Sequence, residues 1–254
     1  MFDHLDQSLS VQAVSAYRSS SAGLDKFRVA NNAAAAQVDY VGYSAGGVLV
    51  REFGRNAYSK TQANFGEGIV HKVITLGSPH FGSDWLQGGV GNLSSFCKTV
   101  AVTLIGFHDK NPDIPELTSN SIFLNAINDA PAGIPVYAIA GTLSLAQDLQ
   151  FNLTTFDGLA VLALACPGIT SVDSIFGIGR NDGIVSELSA RANSLTGGGI
   201  SIAGRTHTLF VGAPDLVGED RTNQFSGTLF SNSTVISQAI QQAIDLPVWM
   251  WRKL

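Results

Sequence analysis

Short apolar runs alternate with longer stretches of helical periodicity along much of the chain. Runs rich in β-branched residues and bounded by turn residues predict strands, which lie at 38–43, 71–76, 135–140 and 200–202. Apolar residues spaced three and four apart predict a helix directly after the first strand and further helices near 119–128 and 231–244. Strands that alternate with helices form parallel sheets through right-handed crossovers. The pattern therefore predicts an α/β fold with a mostly parallel sheet flanked by helices.

The region before the first of these strands predicts a mixture of elements. Residues 1–10 have apolar positions on one helix face, and residues 11–17 form a short strand-like stretch. The serines at 19–21 are typical of a turn, and they lead into a helical pattern over 22–36. We therefore expect the sheet to begin at 11–17.

A strand-to-helix junction lies at residues 42–46, where the sequence reads Gly-Tyr-Ser-Ala-Gly. This spacing is typical of a sharp turn that projects its central serine, here Ser44, from a strained backbone position. We expect strand and helix to approach too closely for a Cβ atom at Gly42 or Gly46. The turn also directs the N–H of Ala45 toward the space above the serine. The junction predicts a nucleophile with one oxyanion-binding N–H, and the alternative is a glycine-rich turn carrying an ordinary serine.

Two long stretches, 84–117 and 143–179, interrupt the alternation of strands and helices. The second is far more apolar than a solvent-facing loop, so these insertions either cover a site or form a buried subdomain. Each contains one cysteine, and the alternatives are a disulfide that ties the insertions together and two buried thiols. The apolar residues and cysteines are Phe151, Leu153, Phe156, Leu159, Val161, Leu162, Leu164, Cys97 and Cys166.

Composition limits the classes of function. The chain has 254 residues, of which 45% are apolar, and a formal charge of −5 with only 15 Lys and Arg. This length suits a single domain over 1–254, and without a basic stripe we expect no nucleic-acid partner. The longest apolar stretch, 158–172, contains Pro-Gly and is too short to cross a bilayer. The cysteines fit neither a zinc ligand set nor a redox pair, and we predict no metal and no cofactor.

Candidates for an acid and a base follow the carboxyl ends of predicted strands, where parallel sheets place functional residues. Asp182 stands in a turn before the strand-like pair Ile184-Val185, and His207 follows the last predicted strand. Each also has a structural interpretation. Asp182 could be an ordinary Asp-Gly turn residue, and His207 could be a packed structural histidine. The order Ser44, Asp182, His207 is that of the α/β-hydrolase triad. The four other histidines all precede Asp182, and so do the competing Asp148, Asp157 and Asp173, none of which has such a turn and apolar pair around it.

Four sequence blocks carry a family resemblance. They are Val-Asp-Tyr-Val-Gly-Tyr-Ser-Ala-Gly-Gly at 38–47, Ile-Thr-Leu-Gly-Ser-Pro-His-Phe-Gly-Ser at 74–83, Leu-Thr-Ser-Asn-Ser-Ile-Phe-Leu-Asn-Ala-Ile-Asn at 117–128, and Asn-Asp-Gly-Ile-Val at 181–185. Together they resemble the α/β-hydrolase lipases of the triacylglycerol-lipase and esterase group, over about residues 11–210. The block that ends the second strand is the most specific to these lipases.

The resemblance assigns roles to single residues. Ser44, Asp182 and His207 match the family's triad positions, and the region after 83 matches the usual place of a lid. Tyr43 replaces a histidine that lines the site in relatives. Tyr43, His80 and Phe81 are expected to bind substrate, with the alternative that His80 fixes its loop.

The resemblance also implies a departure from the family pattern. Such lipases have an earlier strand ending in His-Gly, whose loop supplies a second oxyanion N–H. Nothing similar precedes Ser44, so we expect a fold without its N-terminal strands and a half-built oxyanion hole. The first residues lack the features of a signal peptide, although a secreted parent chain would suit the family.

These expectations lead to one predicted reaction and two alternatives. We predict a serine hydrolase that cleaves carboxylic esters, chiefly lipids, with transient contact at a lipid interface. The alternatives are an acyltransferase that uses the same triad and an impaired hydrolase fold that only binds its ligand. Hydrolysis of a p-nitrophenyl ester, compared with Ser44→Ala, distinguishes an enzyme from a binding protein.

Overall fold

The computed structural model describes residues 7–83, 113–130, 133–142, 180–182, 184–192, 199–203, 205, 207, 234–245 and 252–253. Cys97, Cys166 and nearly all of the two insertions lie outside this part of the chain, so the disulfide and the covering lid remain predictions. The helices described are α1 (Leu9–Asn31), α2 (Ala45–Arg55), α3 (Asp113–Glu116), α4 (Ile122–Asp129), α5 (Glu187–Arg191) and α6 (Thr234–Asp245). The strands described are β1 (Val38–Tyr43), β2 (Val70–Leu76), β3 (Pro135–Thr142), β4 (Gly199–Ala203) and β5 (Arg252–Lys253).

The strands form one sheet in which β1, β2, β3 and β4 lie side by side in that order and run parallel. The short β5, which the sequence did not predict, pairs with the start of β3 in the antiparallel direction. Across the sheet, Tyr43 faces Leu76, which in turn faces Ile139 and then Ile200. The carboxyl ends of the four strands are therefore level at one edge, and the predicted parallel α/β sheet is confirmed.

The N-terminal region differs from its prediction, because residues 9–31 form one continuous helix instead of a strand, a turn and a second helix. The sheet accordingly begins at β1. Ser20, in the predicted turn, donates its hydroxyl to the carbonyl of Ala16 one turn earlier, which satisfies a polar side chain within a helix. At the start of α1, the carboxylate of Glu116 accepts from the N–H of Leu9 at 2.6 Å. Neither α1 nor any other described helix is long and apolar enough to span a membrane.

Helices cover both faces of the sheet. On one face, apolar residues of α1 and α2 pack against β2 and β3 in a cluster that contains Leu24, Phe53 and Val73. On the other face, Ala239 of α6 packs against Ile74 and neighbouring strand residues. Because both faces are covered, β2 is buried at every position except His71 instead of alternating. The sheet is thus a rigid central layer, and its carboxyl edge is where the candidate site lies.

Candidate active site

Ser44 lies at the junction of β1 and α2 with φ 51° and ψ −128°. A positive φ is unfavourable for a serine and raises its side chain above the turn. A Cβ on Gly42 would come within 2.6 Å of the backbone of Gly47, so the crossing of strand and helix requires glycine at 42. The same expectation for Gly46 was wrong, because a Cβ there meets nothing within 4 Å. The second close contact occurs instead at Gly47, whose Cβ would lie 2.2 Å from Oγ of Ser78.

The structure brings Ser44, His207 and Asp182 together. Nε2 of His207 lies 2.8 Å from Oγ of Ser44, and Nδ1 lies 2.8 Å from Oδ2 of Asp182. A carboxylate can only accept, so Nδ1 carries the proton and Nε2 is left to accept from the serine hydroxyl. The side chain of His207 is 5% exposed and that of Asp182 is fully buried. The arrangement can take a proton from Ser44 without moving a heavy atom.

Asp182 is held in place by the turn that contains it. Its Oδ1 accepts from the N–H groups of Ile184 at 3.1 Å and Val185 at 2.8 Å, which leaves Oδ2 for His207. A bridge between Asn181 and Ser186 closes the turn, and α5 begins directly after it. The pair Ile184-Val185 is therefore part of a bend and not a strand, although both side chains are buried as their apolar character suggested.

The three side chains come from distant points of the sheet. Ser44 follows β1, whereas His207 follows β4 at the other side of the four parallel strands. That separation is three strand spacings, or about 14 Å. After β4, the N–H of Arg205 donates to the carbonyl of Thr142 at the end of β3. The N–H of His207 then donates to the carbonyl of Asp182 at 2.7 Å.

Tyr43 contacts the candidate base directly. Its ring lies 5.2 Å from the imidazole of His207, centroid to centroid, with 31° between the planes. Its hydroxyl donates to the main-chain carbonyl of His207. Tyr43 had been predicted to bind substrate, and the sequence carried no signal for this second contact.

His80 is completely buried and has partners at both ring nitrogens. Nδ1 lies 3.1 Å from Nη1 of Arg51, and Nε2 lies 3.1 Å from the hydroxyl of Thr75. Asn128 bridges the pair, since it accepts from Arg51 at 2.7 Å and donates to the carbonyl of His80 at 3.1 Å. A ring without exposed surface cannot contact substrate, so the substrate-binding prediction for His80 is wrong. His80 fixes its loop, which was the other role considered.

Arg51 is the central cation of this buried group. Burial lowers the pKa of Arg51 to about 10, with Arg55 as a smaller cause, so the guanidinium stays charged near neutral pH. Burial and the adjacent Arg51 together hold the pKa of His80 well below its usual value of 6.5. The sequence offered one signal for this group, an arginine one helical turn after the apolar Val48 of α2.

The remaining predicted site residues have less specific surroundings. Ala45 is the first residue of α2, so its N–H belongs to a helix turn without intrahelical acceptors. Phe81 donates its N–H to Oγ of Ser189 at 3.1 Å and lines a cavity of about 290 Å³ with residues of α4 and α5. A larger groove of about 750 Å³ lies between α1 and the opposite end of β1, beside Val38, and is therefore remote from Ser44. Within the described residues, no group of three acidic, histidine or cysteine side chains could hold a metal ion.

Comparison with known proteins supports the fold. No protein-family model and no curated protein matches the sequence. The mature form of the lipase BlEst2 from Bacillus licheniformis matches with a TM-score of 0.50 and 18% identity, over 83% of this chain and 71% of that chain. The phospholipase PlaB from Legionella pneumophila matches with a TM-score of 0.43 and 14% identity, over 68% of this chain and 33% of that chain, which is too weak to carry an argument. The protein therefore has an α/β-hydrolase fold, similar to that of a bacterial lipase.

Proposed function

We propose that this protein is a serine hydrolase that cleaves carboxylic esters. The observation that carries the proposal is the hydrogen-bonded chain from Ser44 through His207 to Asp182, with 2.8 Å at each step. The strained backbone of Ser44 supports it, because an ordinary serine gains nothing from a positive φ. The fold similarity to a lipase is consistent with this chemistry.

Acylation begins when Ser44 attacks the carbonyl carbon of the ester. As the Oγ–C bond forms, the hydroxyl proton moves to Nε2 of His207, and the carbonyl electron pair moves onto oxygen. The N–H of Ala45 donates to this oxyanion, helped by the positive end of α2. Asp182 stabilises the imidazolium through Nδ1–H without taking its proton.

Collapse of the tetrahedral adduct returns the electron pair and breaks the ester bond. The departing alkoxide receives the proton from Nε2 of His207 and leaves as an alcohol. Water then attacks the acyl-serine by the same steps, with His207 again first base and then acid. The products are a carboxylic acid, an alcohol and the free hydroxyl of Ser44.

We propose lipid esters as the substrate class. The apolar residues of 143–179 would suit acyl chains of medium or greater length and an oil–water interface. Rates on p-nitrophenyl acetate, octanoate and palmitate, and on emulsified against dissolved triglyceride, test this. A strict preference for acetate with no gain at an interface would leave a short-chain esterase.

The reaction itself is tested with two single variants, Ser44→Ala and His207→Ala, assayed on p-nitrophenyl butyrate. Each variant should lose about 10⁶-fold in kcat, as other serine hydrolases do when either residue is removed. Ser10→Ala, on an exposed position of α1, is the matched control and should keep full activity. Reaction of the wild-type serine with a fluorophosphonate probe gives a second reading. A folded wild-type protein that neither turns over esters nor reacts with the probe would favour the binding-protein alternative.

A further inference from the structure

His207 depends on distant residues for its position. It follows the short edge strand β4, and its side chain must meet Ser44 at the far side of the parallel strands. Two main-chain contacts hold the residue there. Its N–H donates to the carbonyl of Asp182, and its carbonyl accepts from the hydroxyl of Tyr43.

Tyr43 is well placed to fix a neighbouring residue. It is the last residue of β1, and β1 is hydrogen-bonded to β2 up to this position, since Tyr43 faces Leu76 in the register. Its ring is half-buried beside Ile74, Leu76 and other residues of the cluster under α6, which limits the rotation of the side chain. The same ring lies against the imidazole of His207.

We propose that Tyr43 is a positioning residue for the base, and that its hydroxyl holds the main chain of His207 in register with Ser44. This inference rests on the proposed function. The nucleophile and the anchor of its base are then consecutive residues at the end of one strand. A displacement of about 1 Å between reacting groups can cost about 10²-fold in rate, so a single hydrogen bond at this point matters to the chemistry.

A role as a wall of the substrate site, which the sequence suggested for Tyr43, has a different signature. Loss of a wall contact would weaken ground-state and transition-state binding alike and raise KM. Loss of the anchor leaves the binding surface intact and slows both acylation and deacylation, because both need the same proton transfer. The two roles are therefore distinguished by kcat and KM.

Tyr43→Phe tests the proposal, because it removes one oxygen and keeps the ring. We expect kcat for p-nitrophenyl butyrate to fall by about 10- to 100-fold with KM within about twofold of wild type. The rate of inactivation by a fluorophosphonate should fall by the same factor. Tyr58→Phe, which removes the hydroxyl of a tyrosine exposed on a 3-10 helix, is the control and should match wild type.

The positioning role of Tyr43 can also be tested without ester turnover, and so even if the protein is not an esterase. The Nδ1 proton of His207, identified by its loss in His207→Gln, should give a low-field NMR signal that exchanges slowly with water. In Tyr43→Phe this exchange should be at least about tenfold faster. An unchanged signal in Tyr43→Phe, or a raised KM with unchanged kcat, would overturn the proposal. A wild-type protein without esterase activity but with this difference in exchange would instead refute the proposed function alone.

Discussion

Two histidines are buried among the described residues, and they carry their protons on different ring nitrogens. In His207, Nδ1 donates to Asp182, so Nε2 is free to accept a proton from Ser44. In His80, Nδ1 faces the guanidinium of Arg51, which can only donate, so the proton must lie on Nε2 and point to the hydroxyl of Thr75. A second proton on His80 would lie on Nδ1 and face the positively charged guanidinium of Arg51. Of these two described histidines, His207 is therefore the one suited to act as a base.

Replacing His80 should change how stability depends on pH. The folded pKa of His80 lies well below 6.5, so below pH 6.5 the unfolded chain takes up a proton that the folded chain refuses. Stability is therefore lost as the pH falls from 6.5 toward the folded pKa, and this group contributes at most about 1.4 kcal/mol per pH unit. His80→Gln should remove this part of the slope, so that the variant loses less stability than wild type between pH 6.5 and 5.0. Urea unfolding followed by circular dichroism at several pH values measures it.

The comparison uses slopes and not absolute stabilities, because the glutamine also alters the contacts with Arg51 and Asn128. Equal slopes for His80→Gln and wild type between pH 6.5 and 5.0 would show that His80 is protonated in the folded protein.

Asp182→Asn should impair the base without unfolding the turn. An amide oxygen can still accept from the N–H groups of Ile184 and Val185, but the amide NH₂ group would then face Nδ1 of His207 and favour the wrong tautomer. We expect kcat to fall by about 10⁴-fold, as for the corresponding change in a serine protease. Asp25→Asn, at an exposed carboxylate on α1, is the control for loss of a charge. Full activity of Asp182→Asn in steady-state assays would contradict the assigned role.

At the level of elements, the crossing of β1 and α2 determines how Ser44 is presented. The strand and the helix meet at Gly42 and Gly47, where backbone packs on backbone. Gly46, which belongs to the same sequence motif, lies outside this contact. The motif therefore combines one glycine required by packing with one that leaves space beside the serine.

Alanine substitutions at the two motif glycines should have opposite effects. Gly42→Ala places a methyl group 2.6 Å from backbone atoms and should lower the free energy of unfolding by about 1–3 kcal/mol. Gly46→Ala lies within α2 and meets nothing, so the gain in helix propensity should raise stability by about 0.5–1 kcal/mol. Urea denaturation of both variants gives the values. Equal destabilisation by the two changes would mean that Gly46 is also a packing contact.

The sequence predicted the four parallel strands well, whether they are buried nearly throughout, as β2 is, or partly exposed, as β1 is. Continuous runs such as Val73–Leu76 have one reading as a strand, and the turn at Asp182 has a local cause in its own side chain. The helix α1 was not predictable in this way, because only Leu9, Ala13 and Leu24 of its residues are buried and its polar positions match a turn as well. Tertiary packing, and not local preference, decides its length.

For the whole molecule, chain order allowed the candidate triad to be predicted, but not the contacts that position it. His80 contacts Arg51, and His207 contacts Tyr43. In both pairs the two residues are far apart in the chain and belong to different parts of the fold. Such contacts depend on side-chain directions at a sheet edge, which apolar periodicity does not encode. The sequence could therefore name the candidate residues, but not the side chains that hold them in place.

Ser44 and His207 are 163 residues apart in the chain, and Tyr43 and the carbonyl that it binds are 164 apart. Closing a loop of this length costs conformational entropy before any contact repays it, so we expect these contacts to form late in folding. During refolding from urea, far-UV circular dichroism should therefore recover before ester turnover does, in a stopped-flow comparison with a chromogenic substrate. Simultaneous recovery would mean that the site closes in the same step as the helices. If ester turnover recovers later, as expected, a newly made chain would be compact, and exposed to proteases and partners, before it could attack any ester.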